Sequence, residues 1–310
     1  MEIRKKINKA LVSKYVFLIV MMVYPMTMFV IFWLGKNVQS ILLAFQKISP
    51  DGAVTYCWFD NFQEFFTKFF NSTDLLGRSI LNTLRLYFWQ YVVTIPLNFI
   101  LSYYLFKKLP LHGFFRIVAM APSIISGYIM ALVFKKFVDI GVPSLINMIF
   151  NTPLENIPNL FMDSGYAFWT MFVYLIWTGL YMVLLVYPNS MRSISTELFE
   201  SAQIDGCSWG KEFIHIIFPL MYPTFTTMIV VGAAAFFDTT GASTEFYMWN
   251  APNEVVFIGY YYTRETIVGK TSMLSYPMMA AGGLIMSALS GIVVFVVKWA
   301  MERFGPSSDF

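Results

Sequence analysis

Glu200, Ser201, Ala202, Gly206, Ile216 and Pro219 punctuate the stretch ESAQIDGCSWGKEFIHIIFP, a polar loop set between two apolar runs. Their chemistry is recognition rather than reaction: a carboxylate, small residues, a glycine break and a closing proline build a charged knob without a nucleophile. Elsewhere the reactive residue types do not assemble. Gly269-Lys270-Thr271 resembles the end of a phosphate-binding loop, but Arg264 stands where that loop needs its first glycine. His112 and His215 lie far apart and lack supporting Cys or acidic neighbours, so no metal site is expected. No Ser-His-Asp set or carboxylate pair stands out, and the glycosylation sequon at Asn71-Ser72-Thr73 reads as a chance match.

The elements that position the loop follow from composition. Hydrophobic residues make up 57% of the 310, charged residues only 13%, and the mean hydropathy is +0.62, which is the composition of a membrane protein. A net charge of +3, with no cluster of Lys and Arg among aromatics, argues against a nucleic-acid partner. A membrane helix needs about 20 apolar residues. Windows near 15–34, 84–105, 114–134, 167–187, 220–237 and 276–297 meet that length, and all are free of Asp, Glu, Lys and His. The expected fold is therefore all-α and polytopic, with six transmembrane helices over residues 15–299.

Orientation follows from Lys and Arg. With the basic segment 1–14 inside, the cytoplasmic side collects twelve of the twenty-one, while most acids fall outside. Both ends, including the tail 300–310, are then cytoplasmic. Residues 35–83, 135–166 and 238–275 face outward, and the Glu200–Pro219 loop faces the cytoplasm. Cys57 and Cys207 fall on opposite sides and cannot pair.

Within the loop, Thr196 is the expected N-cap, with Glu197 in the first turn and a helix running through Asp205. Gly206 breaks it, Ser208 caps a second helix from Trp209 to about Ile217, and Pro219 turns the chain into the fifth span. Leu198, Phe199, Ile204 and Trp209 need a cover. Either they fold back on their own helices, or a soluble partner grips them as a helix in a groove. The aromatic run from Trp58 to Phe70 has the spacing of a short surface helix, for which packing onto neighbours is the favoured role. Gly283, Ser287 and Gly291 form a small-residue stripe suited to close helix packing. Pro25, Pro96, Pro122 and Pro223 permit kinks.

The loop resembles the EAA motif of ABC importer permeases, which reads Glu-Ala-Ala, three residues, Gly, nine residues, then Ile-x-Leu-Pro. Glu200-Ser201-Ala202, Gly206 and Ile216-Ile217-Phe218-Pro219 keep that spacing in full, with Ser201 and Phe218 as departures. Trp58-Phe59-Asp60-Asn61-Phe62 followed by Asn82-Thr83 resembles the outer segment of sugar-importer permeases of the MalF/UgpA type. The ending MERFGPSSDF lacks the terminus usual in the second permease of such pairs. The resemblance thus implies a MalF-like subunit in a bacterial plasma membrane. Its partners would be a second, MalG-like permease, two ATPase subunits carrying ATP and Mg, and an extracellular solute-binding protein. No cofactor is expected in this chain. The resemblance also makes Glu200 the charged ATPase contact and Gly206 the hinge of the coupling loop.

In maltose-type permeases one face of the fifth span and a Trp-x-Gly neighbourhood in the fourth line the sugar path. By that resemblance the fifth-span positions fall on Gly232, Phe236 and Thr239, and the fourth-span positions on Thr178, Gly179 and Met182. The i, i+4, i+7 spacing of the first three would put them on one helical face. Trp89, Gln90, Tyr91, Thr94 and Asn98 are further polar or aromatic candidates in the second span. Gly232 and Phe236 stand where such permeases present polar side chains, so a wider pocket and no specific pocket both remain open. Asp238, at the span's outer edge, is read as solvated. The competing class is an ion-coupled transporter or channel; it needs ionisable groups within spans, and the windows lack them.

Overall fold

The computed structural model describes residues 2–163, 165–268 and 272–306, and side chains within these except at 2–10, 181–185 and 272–274. The chain divides into two compact units, Met1–Phe66 with Lys270–Ile285, and Thr67–Gly269 with Met286–Phe310.

In the first unit α1 (Glu2–Met28) continues through a π-turn at Phe29–Leu34 into α2 (Gly35–Ala44). Residues 11–42 are all exposed among the described residues, so this rod is an apolar surface. Helix dominates, in keeping with the all-α expectation, with one small addition. A hairpin, β1 (Gln46–Ile48) and β2 (Val54–Tyr56), pairs antiparallel with Lys47 opposite Thr55. Its turn is closed by the Asp51 carboxylate accepting from Ala53 N and by Gly52 at φ +84. Strands of three residues are too short for alternation to show in the sequence. The aromatic run then forms α3 (Asp60–Phe70), with Phe65 buried and Trp58, Phe59, Phe66 and Phe70 exposed. Asn61 donates to the carbonyls of Ala44 and Gln46 at 2.8 and 2.7 Å, fixing where α2 ends.

The second unit starts with α4 (Leu75–Trp89), a π-turn at Gln90–Thr94 and α5 (Ile95–Phe106). The third window is not one straight helix. It breaks into α6 (His112–Ile124) and α7 (Gly127–Lys136), and α6 lies at 116° to the helical stretch Gly127–Phe150 that α7 begins. Ile125 is extended at φ −99, ψ 145, which ends the helical ladder there. A π-turn at Phe137–Gly141 leads to α8 (Val142–Phe150). The fourth window lies in α9 (Ala167–Met191). Next come α10 (Thr196–Ile204), α11 (Trp209–Glu212), a π-turn at Phe213–Ile217 and α12 (Phe218–Ala234). The outer return carries α13 (Ser243–Tyr247) and α14 (Ile258–Ile267), and α15 (Ser272–Phe304) closes the chain.

Helix thus occupies most of every apolar window, with the third interrupted at residues 125–126 and α12 ending at Ala234. By length and composition Leu11–Ala44, Trp209–Ala234 and Ser275–Phe304 are sufficient to cross a membrane, and the bent pair His112–Ile124 and Gly127–Phe150 makes a fourth if taken as one span.

Two cores hold the second unit together. One packs Phe161, Phe168, Met171, Phe246 and Phe257 between α9 and the outer return. Asn82 and Thr83 pin that return: the Asn82 amide donates to Asn253 and Val256 carbonyls, and the Thr83 hydroxyl accepts from Ile258 N at 3.0 Å. Arg85 lies 3.9 Å from the centroid of the Phe168 ring, an attraction that eases a cation at the edge of an apolar window. The other core gathers Phe99, Tyr103, Tyr187, Met191, Phe199, Ile217 and Met221 directly beneath α10. The stripe on α15 is unused within the described chain: a Cβ at Gly283 or Gly291 would meet no atom within 4 Å.

Candidate functional site

The candidate loop is built from its caps. The hydroxyl of Ser195, rather than Thr196, caps α10 by accepting from Glu197 N at 3.2 Å. Thr196 is already helical. At the other end Cys207 N donates to the Ala202 carbonyl at 2.8 Å and Gly206 N to the Gln203 carbonyl at 3.1 Å. These nested bonds, with Gly206 at φ +70, are a Schellman cap. Gly206 is therefore the left-handed residue of a closed cap, where a hinge was expected. Ser208 precedes α11 as expected but makes no side-chain cap bond.

Pro219 does not turn the chain. It sits in the first turn of α12, where its missing N–H costs little, and the helix runs from Trp209 to Ala234 with only the π-turn inside it. The second helix of the loop and the fifth span are one rod.

Burial sorts the loop's apolar residues. Phe199 and Ala202 face the core, with the Phe199 ring 5.7 Å from Phe106. Leu198 is exposed and Ile204 is 86% exposed. Glu200 and Ser201 are exposed on α10, and Trp209 is half covered by the Tyr103 ring at 5.1 Å. Ile216 is half-buried against the core. One face of α10 thus folds back on the core, and the other is open.

Lys107, Tyr103 and Glu212 were not singled out from sequence. Glu212 is 4% exposed, and its Oε1 lies 2.5 Å from Lys107 Nζ while accepting from the Tyr103 hydroxyl at 3.0 Å. A buried carboxylate left without its cation costs about 3–5 kcal/mol, so the three stand or fall together. The available signal was an acid at the base of an apolar rod.

The residues proposed to line a path are placed unevenly. The Thr178 hydroxyl donates to the Tyr174 carbonyl, and a Cβ on Gly179 would meet nothing within 4 Å. The Met182 side chain lies outside the described residues. Gly232 admits the Tyr91 hydroxyl, 3.5 Å from where a Cβ would stand, and the Phe236 ring packs 4.6 Å from Tyr87. The single-face argument fails for the fifth span. Helix α12 ends at Ala234, Phe236 lies in a 3-10 turn, and Thr239 is extended, its carbonyl accepting from Gly259 N at 3.0 Å. Counting helical phase past Ala234 had no means of registering that end. In the second span, Thr94 Oγ1 and Asn98 Oδ1 are buried without a hydrogen-bond partner among the described residues.

The family model described as binding-protein-dependent transport system inner membrane component matches residues 123–307, more than half of the chain. The chain belongs to this family. Among relatives of this inner membrane component is the arabinooligosaccharides transport system permease protein AraP of Bacillus subtilis (strain 168). It is 25% identical over 273 residues, covering 87% of this chain and 80% of that protein. The multiple sugar-binding transport system permease protein MsmF of Streptococcus mutans is 27% identical, covering 76% of this chain and 77% of its own length. A crystal structure of a bacterial ABC transporter involved in the import of the acidic polysaccharide alginate contains a chain of the same fold. Its TM-score is 0.79 at 19% identity, with 96% of this chain and 99% of that chain covered.

Proposed function

We propose that the chain is a permease subunit of an ATP-driven importer for a carbohydrate. It crosses a bacterial plasma membrane six times with both ends in the cytoplasm, and pairs with a second, MalG-like permease. Two ATPase subunits hydrolyse ATP with Mg, the permease itself carries no cofactor and catalyses no reaction, and an extracellular solute-binding protein delivers the sugar. Family membership supports the transport role, and the sugar class rests on the names of relatives such as AraP and MsmF.

The observation that carries the coupling role is α10: Phe199 and Ala202 pin one face, while Glu200, Ser201 and Ile204 stand exposed on a polar loop. An exposed isoleucine beside a carboxylate fits a helix-in-groove contact, and the ATPase is the occupant. ATP binding then drives alternation between inward-open and outward-open states by favouring one of them. The path runs along Thr178, Gly179 and Met182 of the fourth span and Gly232, Phe236 and Thr239 of the fifth, with Phe236 offering part of its ring for stacking.

Uptake of radiolabelled arabino- or malto-oligosaccharides into proteoliposomes holding the assembled transporter tests this reading. The expected result is accumulation that requires ATP inside and loaded binding protein outside. Accumulation driven by an ion gradient without ATP would contradict it.

A further inference from the structure

We propose that Lys107 and Glu212 are positioning residues that fuse the α10–α11 loop to the end of α5, so that the loop moves with the second and fifth spans as one body. This rests on the reading of α10 as the ATPase contact. Residues 107 and 212 are distant in sequence, yet Lys107 touches all three elements, two through its ammonium and α5 through its backbone. It pairs with Glu212 Oε1 on α11 at 2.5 Å. It also lies 4.9 Å from the centroid of the Phe199 ring, the residue next to Glu200 on α10. Its own backbone N–H caps α5 by donating to the Tyr103 carbonyl at 3.0 Å.

Tyr103 completes the joint from the same end of α5. Its hydroxyl donates to Glu212 Oε1, and its ring lies 5.1 Å from Trp209 and 5.0 Å from Phe213. Glu212 and Lys107 are both largely withdrawn from water, with side chains 6% and 18% exposed. A buried ion pair is a weak source of stability, whereas its strength lies in fixing one arrangement against others. What it fixes here is the angle between α10 and two spans.

The route for force is then rigid. Gly206 is held in a closed cap, so a pull on α10 does not dissipate there. It passes through Lys107 and Tyr103 into α5, and along the unbroken rod Trp209–Ala234 into the fifth span. The joint that flexes during transport lies elsewhere in the chain.

The test uses the assembled transporter in proteoliposomes, comparing wild type with Lys107→Met, Glu212→Gln and the exchange Lys107→Glu/Glu212→Lys. Readouts are ATPase copurification, ATP hydrolysis without substrate, and sugar carried per ATP. The single variants should retain the ATPase and its basal hydrolysis while sugar per ATP falls about tenfold, the scale of a typical coupling energy. The exchange should restore most of it. Wild-type sugar per ATP in the single variants, or no recovery in the exchange, overturns the proposal.

A second arm stands even where single variants fold poorly. Cysteines at positions 107 and 212, with Cys57 and Cys207 replaced by serine, are bridged by a short bis-maleimide. A rigid joint predicts transport by the bridged protein, and arrest on bridging overturns it. Failure of wild type to copurify with an ATPase would instead refute the underlying assignment of the loop.

Discussion

Gly206 occupies φ +70 with no side-chain neighbour near its α-carbon, so backbone conformation alone selects glycine there. An L side chain in the left-handed region costs about 1–2 kcal/mol, and asparagine tolerates it best. Gly206→Ala should therefore open the cap more often, and trypsin cleavage at exposed Lys211 should rise about tenfold, as expected when cleavage tracks the open population. Gly206→Asn should rise less. Equal cleavage in both variants and wild type would remove the cap from the account. The glycine break was legible because only glycine suits that conformation cheaply. The Lys107–Glu212 pair was not, since nothing in a linear pattern brings an α5 terminus to an α11 side chain. Ser195 was missed as the cap for a smaller reason: adjacent hydroxyl residues compete, and one residue of register decides between them.

At the scale of elements, periodicity and length placed helix in every apolar window, because backbone groups in apolar surroundings must bond within their own segment. Where helices end was less visible. The third window breaks where Ile125 turns extended, and the chain beyond the end of α12 at Ala234 is held by tertiary supports: Asn82 and Thr83 hold the outer return, and Gly259 N bonds the Thr239 carbonyl. The continuity through Pro219 was also hidden, since proline both ends helices and opens them. The fourth-span face offers a direct test of the path. Gly179 has room beside it, so Gly179→Leu should leave the amount of inserted permease unchanged and reduce sugar uptake about tenfold or more if the space carries substrate. Uptake kinetics equal to wild type would take Gly179 out of the path.

For the whole molecule, composition alone gave the membrane class. The apolar rod at residues 11–42 is exposed, and a Cβ at Gly283 or Gly291 would meet no described atom within 4 Å. In the proposed assembly a second permease and lipid would cover such surfaces, and the ATPase would cover the open face of α10. The ATPase is proposed to hold this face of α10 rather than the buried one. This contact is tested most directly by site-directed cross-linking of Ser201→Cys, in a chain whose Cys57 and Cys207 are serine, to single cysteines across the ATPase surface within the assembled transporter. The account predicts cross-links confined to one groove of the ATPase and lost when α10 is deleted from the contact by Glu200→Arg with Ile204→Asp. An intact transporter in which Ser201→Cys cross-links to no position on the ATPase would contradict it.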